Sequence, residues 1–202
     1  MTATRTILPR LFHRIWFGPR PLSEEHLRFG EGWLRLHPGW ELVLWTEKNL
    51  PRLDLQTYFD RGYSYSLKSD IARYEILRSF GGVYLDVDVE CRKNIEPLLA
   101  GAEVVAGYER AGTLCTAVMG SAAGDPLWGQ ILKDLPGVIE IHGGNSGQAG
   151  PVLFSRYAAA CPRVRTFPRE VFYPYGWWEK HRRSEPFPEA YAVHHWEGSW
   201  LL

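Results

Sequence analysis

The stretch SYSLKSDIARYEILRSFGGVYLDVDVE, residues 64–90, decides the fold. Its first two thirds carry apolar side chains on several sides at helical spacing, which is typical of a helix that is mostly covered by protein. Gly81 and Gly82 follow directly, and glycine adopts the left-handed conformation that ends a helix at little cost. We therefore predict a buried helix, an abrupt stop and a strand held close to the helix end.

The strand at the end of this stretch carries acids at alternate positions. Because strand side chains alternate with a period of two, Asp86, Asp88 and Glu90 are predicted to share one face. The other face is apolar: Val83, Leu85, Val87 and Val89. Neighbouring carboxylates repel each other unless a cation neutralises them, and oxygen ligands of this kind suit Mg²⁺ or Mn²⁺.

An isolated Asp-x-Asp pair is more often a solvated sheet edge than a metal site, so its neighbours matter. Asp70 and Arg73 lie three residues apart and hence on one stripe of the preceding helix. Since that helix is predicted to be largely covered, neither side chain is expected on a freely solvated face. This favours a metal site over a solvated sheet edge.

Composition excludes some classes of protein. The 202 residues suit one domain, and 23 acidic against 23 basic residues give no net charge, which argues against a general nucleic-acid binder. Nine Trp, ten Tyr and nine Phe suit either a well-filled core or the binding of sugar and base rings.

The expected location is the cytoplasm. The three cysteines contain no Cys-x-x-Cys pair, which supports neither a zinc knuckle nor a disulfide framework. The start MTATRTILPR shows no signal peptide, and no apolar run approaches the roughly 20 residues that span a bilayer. Any membrane contact is therefore expected to be peripheral, at the inner face.

The remaining pattern predicts an α/β domain with a largely parallel sheet. Strands are predicted at 7–18, 40–45, 103–108, 115–120 and 191–193, with the third and fourth as a hairpin. Helices are predicted at 23–36, 126–135 and about 152–160. The segment 46–58 is predicted to be a loop with short helical turns. The glycine-rich stretch at 145–151 lacks Gly-Lys-Ser/Thr, so a flexible loop is favoured there over a phosphate site.

Aromatic and imidazole side chains stand near the predicted strand ends. Trp16 lies where the first strand ends, which is where ligands bind in open α/β sheets, but a core role is equally compatible with the sequence. His13 is expected to be a satisfied, partly buried histidine. Of His194 and His195, only one can face a metal ion, because adjacent strand residues point in opposite directions.

Five segments together resemble a known family. They are FHRIWFG at 12–18, SDIARYEIL at 69–77, FGGVYLDVDV at 80–89, AGP at 149–151 and AVHHWEGSW at 192–200. They are similar to the Asp-x-Asp sugar-nucleotide glycosyltransferases of family 32, which include capsular-polysaccharide and Och1-like mannosyltransferases. The glucosylating domains of large bacterial toxins are more distant relatives. The segments extend over nearly the whole chain, except 46–63 and 101–145.

The resemblance implies a fold and a reaction. The fold would be a single GT-A domain over residues 1–202, with a Rossmann-like, mostly parallel sheet flanked by helices and a loop-rich C-terminal part. The reaction would be retaining transfer of a sugar from a UDP- or GDP-linked donor, with Mn²⁺ or Mg²⁺, to a saccharide, glycolipid or other hydroxyl acceptor. The short length and the small residues at 111–124, which would border the acceptor, depart from many relatives.

The resemblance also implies residue roles. Asp88 would bind the metal directly, Asp86 would contact the ribose and the metal shell, and His194, or less favourably His195, would be a further ligand. Asp70 and Arg73 would hold the donor sugar with Ser69 nearby, and these two with Asp86 and Asp88 form the expected catalytic set. The other expected donor contacts are Trp16 on the base, Tyr84, and Ser199 with Trp200 at the diphosphate.

Two other functions compete with transfer. A phosphatase with an Asp-x-Asp pair usually has Thr two residues after the second Asp, where this chain has Glu90. A non-catalytic sugar-nucleotide-binding module would keep the same ligands without turnover. For a transferase with no evident nucleophile, we expect front-face attack, in which the leaving phosphate accepts the acceptor's proton.

Overall fold

A computed structural model describes residues 8–61 and 63–198 of the chain, and six of its strands form one central sheet. Their order is β2-β1-β3-β6-β5-β7. The bounds are β1 Leu11–Ile15, β2 Glu41–Trp45, β3 Gly82–Leu85, β5 Val104–Arg110, β6 Thr113–Ser121 and β7 Val164–Phe167. Strands β4 Val89–Cys91 and β8 Ala192–His194 form a separate antiparallel pair.

The central sheet is mostly parallel, as predicted. Strand β1 pairs in parallel with β2 and β3, and β5 pairs in parallel with β7. Only β6, of these six strands, runs against its neighbours β3 and β5. The predicted hairpin is therefore β5 and β6, and β1 is shorter than the strand predicted at 7–18.

Helices cover both faces of the sheet. They are α1 Glu24–Leu36, α2 Gln56–Phe59, α3 Tyr65–Phe80, α4 Glu96–Leu99, α5 Pro126–Ile141, α6 Leu153–Ala159 and α7 Arg169–Phe172. The sheet separates two hydrophobic clusters, and alternate residues of β3 pack into one or the other. Tyr84 packs in the cluster that contains Trp128 of α5, and Val83 packs in the cluster that contains Trp33 of α1. This alternation is the one expected of a strand buried on both faces.

Helix α3 begins and ends as the sequence predicts. The Ser64 hydroxyl accepts the Leu67 N–H at 3.3 Å, which satisfies one of the free donors at the helix start. Gly81 and Gly82 then turn the chain with φ of 63° and 87°. A Cβ on Gly82 would lie 2.4 Å from the Leu11 carbonyl oxygen. Only glycine allows this close approach of β3 to β1, so the end of α3 is fixed against the sheet.

Three predicted elements need correction. The strand predicted through Glu90 stops at Leu85, and residues 86–88 form a turn before β4. Helix α5 continues past the predicted end near 135 to Ile141. The stretch predicted to be a flexible loop contains a π-helical turn, Gln148–Val152, that leads directly into α6.

Within 8–61 and 63–198, no helix combines the length and apolar character needed to cross a membrane. Cys91, Cys115 and Cys161 are all unpaired. The cytoplasmic location stays a prediction.

Candidate functional site

The Asp86–Asp88 turn is the centre of the site. The Asp86 N–H still donates to the Ala117 carbonyl at the end of the sheet, at 2.9 Å, and the Val89 N–H closes the turn onto the Asp86 carbonyl at 3.1 Å. The buried Arg14 guanidinium of β1 donates to the Val87 carbonyl in the middle of the turn. The strand alternation predicted for residues 86–90 is therefore wrong, because β4 leaves the central sheet to pair with β8.

The turn nevertheless brings both acids to one histidine. Strand β8 pairs with β4 so that His194 stands opposite Val89. The His194 Nε2 lies 3.2 Å from Asp88 Oδ1 and 3.9 Å from Asp86 Oδ2. One ligand atom from each of the three residues lies within 4.8 Å of the others. This is the arrangement that a divalent ion with two oxygen ligands and one nitrogen ligand requires.

The state of His194 fits a metal ligand. Both of its ring nitrogens are buried, and neither has a hydrogen-bond partner of acceptable geometry among the described residues. Although burial disfavours the imidazolium, the Asp88 carboxylate holds the pKa of His194 well above its ordinary value. The acids thus attract a positive charge, which a divalent ion would supply in place of the proton.

The C-terminal segment also fixes Asp88. The Glu197 N–H donates to Asp88 Oδ2 at 2.9 Å, and the His195 N–H donates to the Asp88 carbonyl at 3.0 Å. Burial would raise the pKa of the Asp88 carboxyl, but His194 and the Glu197 N–H hold it below its ordinary range. Asp88 therefore stays an anion, as a metal ligand must.

His195 lies away from the acid cluster. Its Nε2 is 3.0 Å from Glu90 Oε2, and its ring stacks on Phe29 at a centroid distance of 4.9 Å. Of the two adjacent histidines, His194 alone joins Asp86 and Asp88. Glu90, which the strand pattern placed beside the two aspartates, belongs to this second pair.

Arg73 connects helix α3 to the acids. Its Nη1 donates to the Thr116 carbonyl at 3.0 Å and to the Thr116 hydroxyl at 2.8 Å. Its Nη2 lies 3.5 Å from Asp86 Oδ1, which also accepts the Tyr84 hydroxyl at 2.7 Å. The Arg73 guanidinium lies 4.7 Å over the Tyr84 ring. Arg73 and Tyr84 thus hold the Asp86 carboxylate from the side away from His194.

Asp70 is buried beside the glycine-rich turn, as expected of a residue on a covered helix. Burial raises the pKa of its carboxyl to about 7, although Arg73, at 3.6 Å, opposes this. A Cβ on Gly150 would lie 2.7 Å from Asp70 Oδ1. The Tyr74 hydroxyl contacts the Ala149 and Gly150 carbonyls at 3.1 Å each. The backbone of this turn is thus packed directly against Asp70.

The acid cluster lies between two cavities. The first, of about 370 Å³, is lined by Trp16, Ser69, Arg73, Tyr84, Asp86 and Asp88 among others. The second, of about 480 Å³, is lined by Asp70, Arg73, Asp86, Glu109, Trp177 and His194 among others. Ser66, Arg73 and Asp86 line both cavities and form the wall that they share. Two ligands could therefore meet there.

Each described residue that the sequence analysis assigned to the site lines one of these cavities. Trp16 is half-buried at the end of β1, where its Nε1 donates to the Arg20 carbonyl at 2.6 Å. Ser199 and Trp200, assigned to the diphosphate, lie outside the described residues. The sequence analysis missed Arg14 and Thr116, because the partner of each, the Val87 carbonyl for Arg14 and the Arg73 guanidinium for Thr116, is distant in the chain. It also missed Glu109, which lies in the gap of the family resemblance.

The fold is of the GT-A type and is shared with solved glycosyltransferases. A structure titled "PaToxG Glycosyltransferase" superposes with a TM-score of 0.61 at 16% identity, covering 76% of this chain and 69% of that one. The glycosyltransferase GlyE of Streptococcus pneumoniae gives a TM-score of 0.58 at 12% identity over 96% of this chain and 56% of that one. At these identities the likeness establishes the fold.

In sequence, residues 23–105 match the family model described as "Glycosyltransferase sugar-binding region containing DXD motif". Inositol phosphoceramide mannosyltransferase 3 of Schizosaccharomyces pombe is 32% identical over 64% of this chain and 37% of its own length. Human lactosylceramide 4-alpha-galactosyltransferase is 29% identical over 66% of this chain and 42% of its own length. The resemblance drawn from the motifs is thereby confirmed. For the first three curated relatives, the matched share of their own length is between 33% and 56%.

Proposed function

We propose that this protein is a metal-dependent, retaining glycosyltransferase that moves a hexose from a UDP- or GDP-linked donor to a saccharide, glycolipid or other hydroxyl acceptor. One observation carries the proposal: ligand atoms of Asp86, Asp88 and His194 lie within 4.8 Å of one another at the edge of two adjoining cavities. The match of residues 23–105 supports it, because the matched family is described as a sugar-binding region containing a DXD motif, and Asp86-Val87-Asp88 has this pattern.

The first cavity suits the nucleotide end of the donor. Trp16 offers a large ring at its mouth for stacking on the base, and Ser69, Tyr84 and Asp86 offer hydroxyl and carboxylate groups for the ribose. We assign the diphosphate to the wall beside Asp88. A role for Ser199 and Trp200 at the diphosphate stays a prediction.

The donor sugar is assigned to the shared wall between the cavities. Asp70 faces the second cavity and Arg73 faces both, so a sugar that follows the diphosphate would pass between them. Arg73 is held by Thr116 and Asp86, and is therefore rigid before any ligand arrives. Rigid groups of this kind lower the cost of orienting a substrate for reaction.

A divalent ion, Mn²⁺ or Mg²⁺, bound by Asp86, Asp88 and His194 would supply Lewis-acid stabilisation of the diphosphate as it leaves. The protein's own part is to hold the donor in place and to keep the acids ionised and aimed. For retention of configuration we propose front-face attack, in which the leaving phosphate oxygen accepts the proton of the acceptor hydroxyl. Mass-spectrometric detection of a covalent sugar–protein adduct during turnover would refute this route.

The acceptor class is proposed from the relatives. Two relatives are named as an inositol phosphoceramide mannosyltransferase and a lactosylceramide galactosyltransferase. Each of these names contains an acceptor with a ceramide tail. A glycolipid or a related saccharide is therefore the first acceptor to test here. A non-catalytic sugar-nucleotide-binding module is the second candidate function, and it would use the same acids and histidine.

The deciding experiment incubates the protein with UDP- and GDP-sugars, Mn²⁺ and a panel of glycosides and glycolipids. A transferase releases nucleoside diphosphate and forms a glycosylated product, a binding module forms neither, and a phosphatase releases phosphate from unrelated monoesters. We expect Mn²⁺-dependent transfer that Asp88→Asn abolishes. Mn²⁺-dependent turnover that survives Asp88→Asn would contradict the assignment.

A further inference from the structure

The second cavity contains two groups that donor binding does not use. Glu109 lies at the end of β5, and Trp177 begins a short 3₁₀ helix, Trp177–Arg182; both residues line the second cavity. We propose that Glu109 and Trp177 form an acceptor subsite, in which the Trp177 ring stacks on an acceptor sugar and the Glu109 carboxylate accepts its hydroxyl hydrogens. This inference rests on the proposed function and assigns its second substrate.

Glu109 is a buried acid without strong partners. The residue is only 7% exposed. Among the described residues, its nearest cation is the neighbouring Arg110, whose Nε lies 3.7 Å away on a side chain that is 55% exposed. Its other polar neighbours are the Cys115 thiol, a weak donor, and the His194 ring, which acts on it through charge and makes no hydrogen bond to it. A buried carboxylate that lacks good donors is costly, and sugar hydroxyls entering the cavity would supply them.

Glu109 lines the second cavity from an irregular part of β5. Pairing of β5 with β6 shifts register between Tyr108 and Arg110, and such irregularities bend a strand and redirect its side chains. Across the hairpin, Cys115 and Thr116 line the same cavity, and Thr116 is the residue that anchors Arg73. Glu109 therefore stands on the hairpin that also positions the proposed donor-sugar contact.

Trp177 provides an exposed ring at the mouth of the cavity. The residue is 56% exposed, which is unusual for so large an apolar side chain in a folded domain. Its described ring contact is Trp178, with ring centroids 5.6 Å apart and planes nearly perpendicular, so a face of the Trp177 ring stays open. Aromatic faces of this kind bind the apolar face of a sugar ring.

Trp178 is a natural comparison for Trp177. It is 44% exposed, but it does not line the cavity, and the Arg169 guanidinium lies 5.3 Å over its ring. The exposed Glu170 gives a comparison for Glu109, because it lines neither cavity. Substitutions at these two positions remove an indole ring or a carboxylate charge, as W177A and E109Q do, but outside the proposed subsite.

The experiment measures acceptor and donor constants separately for the wild type, E109Q, W177A, W178A and E170Q. The acceptor probes are octyl β-lactoside and micellar inositol phosphoceramide, with UDP- and GDP-sugars and Mn²⁺. We expect E109Q and W177A to raise the acceptor KM at least tenfold while the donor KM stays within twofold and kcat within threefold. W178A and E170Q should leave all three constants unchanged.

Each other result overturns the subsite. An unchanged acceptor KM in E109Q and W177A would contradict the subsite. An equal rise of the acceptor KM in W178A or E170Q would contradict it as well. A Tm measured for each variant separates misfolding from lost binding, and E109Q preserves the size of the side chain. If the wild type binds donor but uses neither probe, the subsite fails and the donor site stands. If the wild type binds no donor, the proposed function itself fails.

Discussion

The His194 Nε2 lies 3.2 Å from Asp88 Oδ1, and this contact joins the last described strand to the turn that follows β3. Two distant parts of the chain thus build one cluster of negative charge with a nitrogen ligand. Removal of either partner is expected to destroy the cluster as a cation site.

The first prediction concerns the metal. Substitution of Asp88 by Asn removes a buried anionic ligand, so we expect the stabilisation by Mn²⁺ with UDP to vanish. For a ligand at 100 times its Kd, that stabilisation amounts to about 2.7 kcal/mol. Thermal unfolding with Mn²⁺ or EDTA measures it. Asp60→Asn, at an exposed side chain that accepts from Gln56, is the control and should respond as the wild type does. A full Mn²⁺ response in the Asp88 variant would contradict this assignment.

The second prediction concerns Arg73. Its replacement by Ala leaves Asp70 and Asp86 buried without their cation, and breaking such a buried pair costs roughly 3–5 kcal/mol. We expect urea titration to show a loss of at least about 3 kcal/mol in the free energy of unfolding. Arg78→Ala, on the same helix, removes a more exposed pair with Asp54 and should cost about 1 kcal/mol or less. Equal losses would show that Arg73 does not neutralise the acids.

The third prediction concerns Gly150. An added Cβ would lie 2.7 Å from the Asp70 carboxylate, so Gly150→Ala must displace Asp70 or the turn. We expect a loss of about 1–3 kcal/mol in stability, the usual range for overpacking, together with weaker donor binding. Gly137→Ala is the control, because nothing lies within 4 Å of the added atom, and alanine is favoured in a helix interior by roughly 0.5–1 kcal/mol. Unchanged stability and donor affinity in Gly150→Ala would disprove the contact.

The fourth prediction concerns His13, whose burial lowers its pKa from 6.5 to about 4 although Gly81 opposes the shift. Its Nε2 lies 2.7 Å from the Gly81 carbonyl, and its Nδ1 accepts from the Trp45 Nε1, so a second ring proton has no acceptor. The unfolded chain therefore binds more protons, and stability is kept above pH 6.5 and lost as the pH falls towards 4. The full loss is about 3 kcal/mol.

Urea titrations between pH 7.5 and 4.5 on the wild type and His13→Gln measure this effect. The difference between the two proteins isolates His13 from the other titrating groups. We expect the wild type to lose stability more steeply below pH 6.5. Parallel curves would mean that His13 is protonated as easily in the folded state as in the unfolded chain.

Local sequence predicted the helix of the deciding stretch well. Gly81 ends α3, and Asp70 and Arg73 lie on its buried side, because glycine conformation and apolar spacing act within a few residues. The mostly parallel sheet followed from the same kind of pattern. The family resemblance, in turn, rested on short motifs that extend over most of the chain.

The Asp86–Asp88 turn could not be predicted locally. Alternation over residues 83–90 indicates one straight strand, but β4 pairs with β8, more than a hundred residues further along the chain. The acids meet at His194 because of that distant pairing, whereas Glu90 is drawn to His195. The family resemblance implied that the acids and His194 converge, and they do; the strand alternation that put Glu90 on the same face as the two aspartates was wrong.

Two further differences have the same origin. Helix α5 passes through Pro136, where a helix is expected to stop, because Leu135 and Ile139 on either side are fully buried in the core. The glycine-rich stretch forms an ordered turn because Tyr74, from α3, contacts two of its carbonyls. In each case, tertiary packing outweighs a local preference.

The position of His194 on β8 also sets the order in which the cluster can be assembled. A ribosome releases both aspartates long before it releases the imidazole. A nascent chain that already has its central sheet would thus hold two crowded carboxylates that still lack their nitrogen partner. Translation stopped before residue 192 would yield a product that has both aspartates but lacks His194, the nitrogen ligand of the proposed metal site.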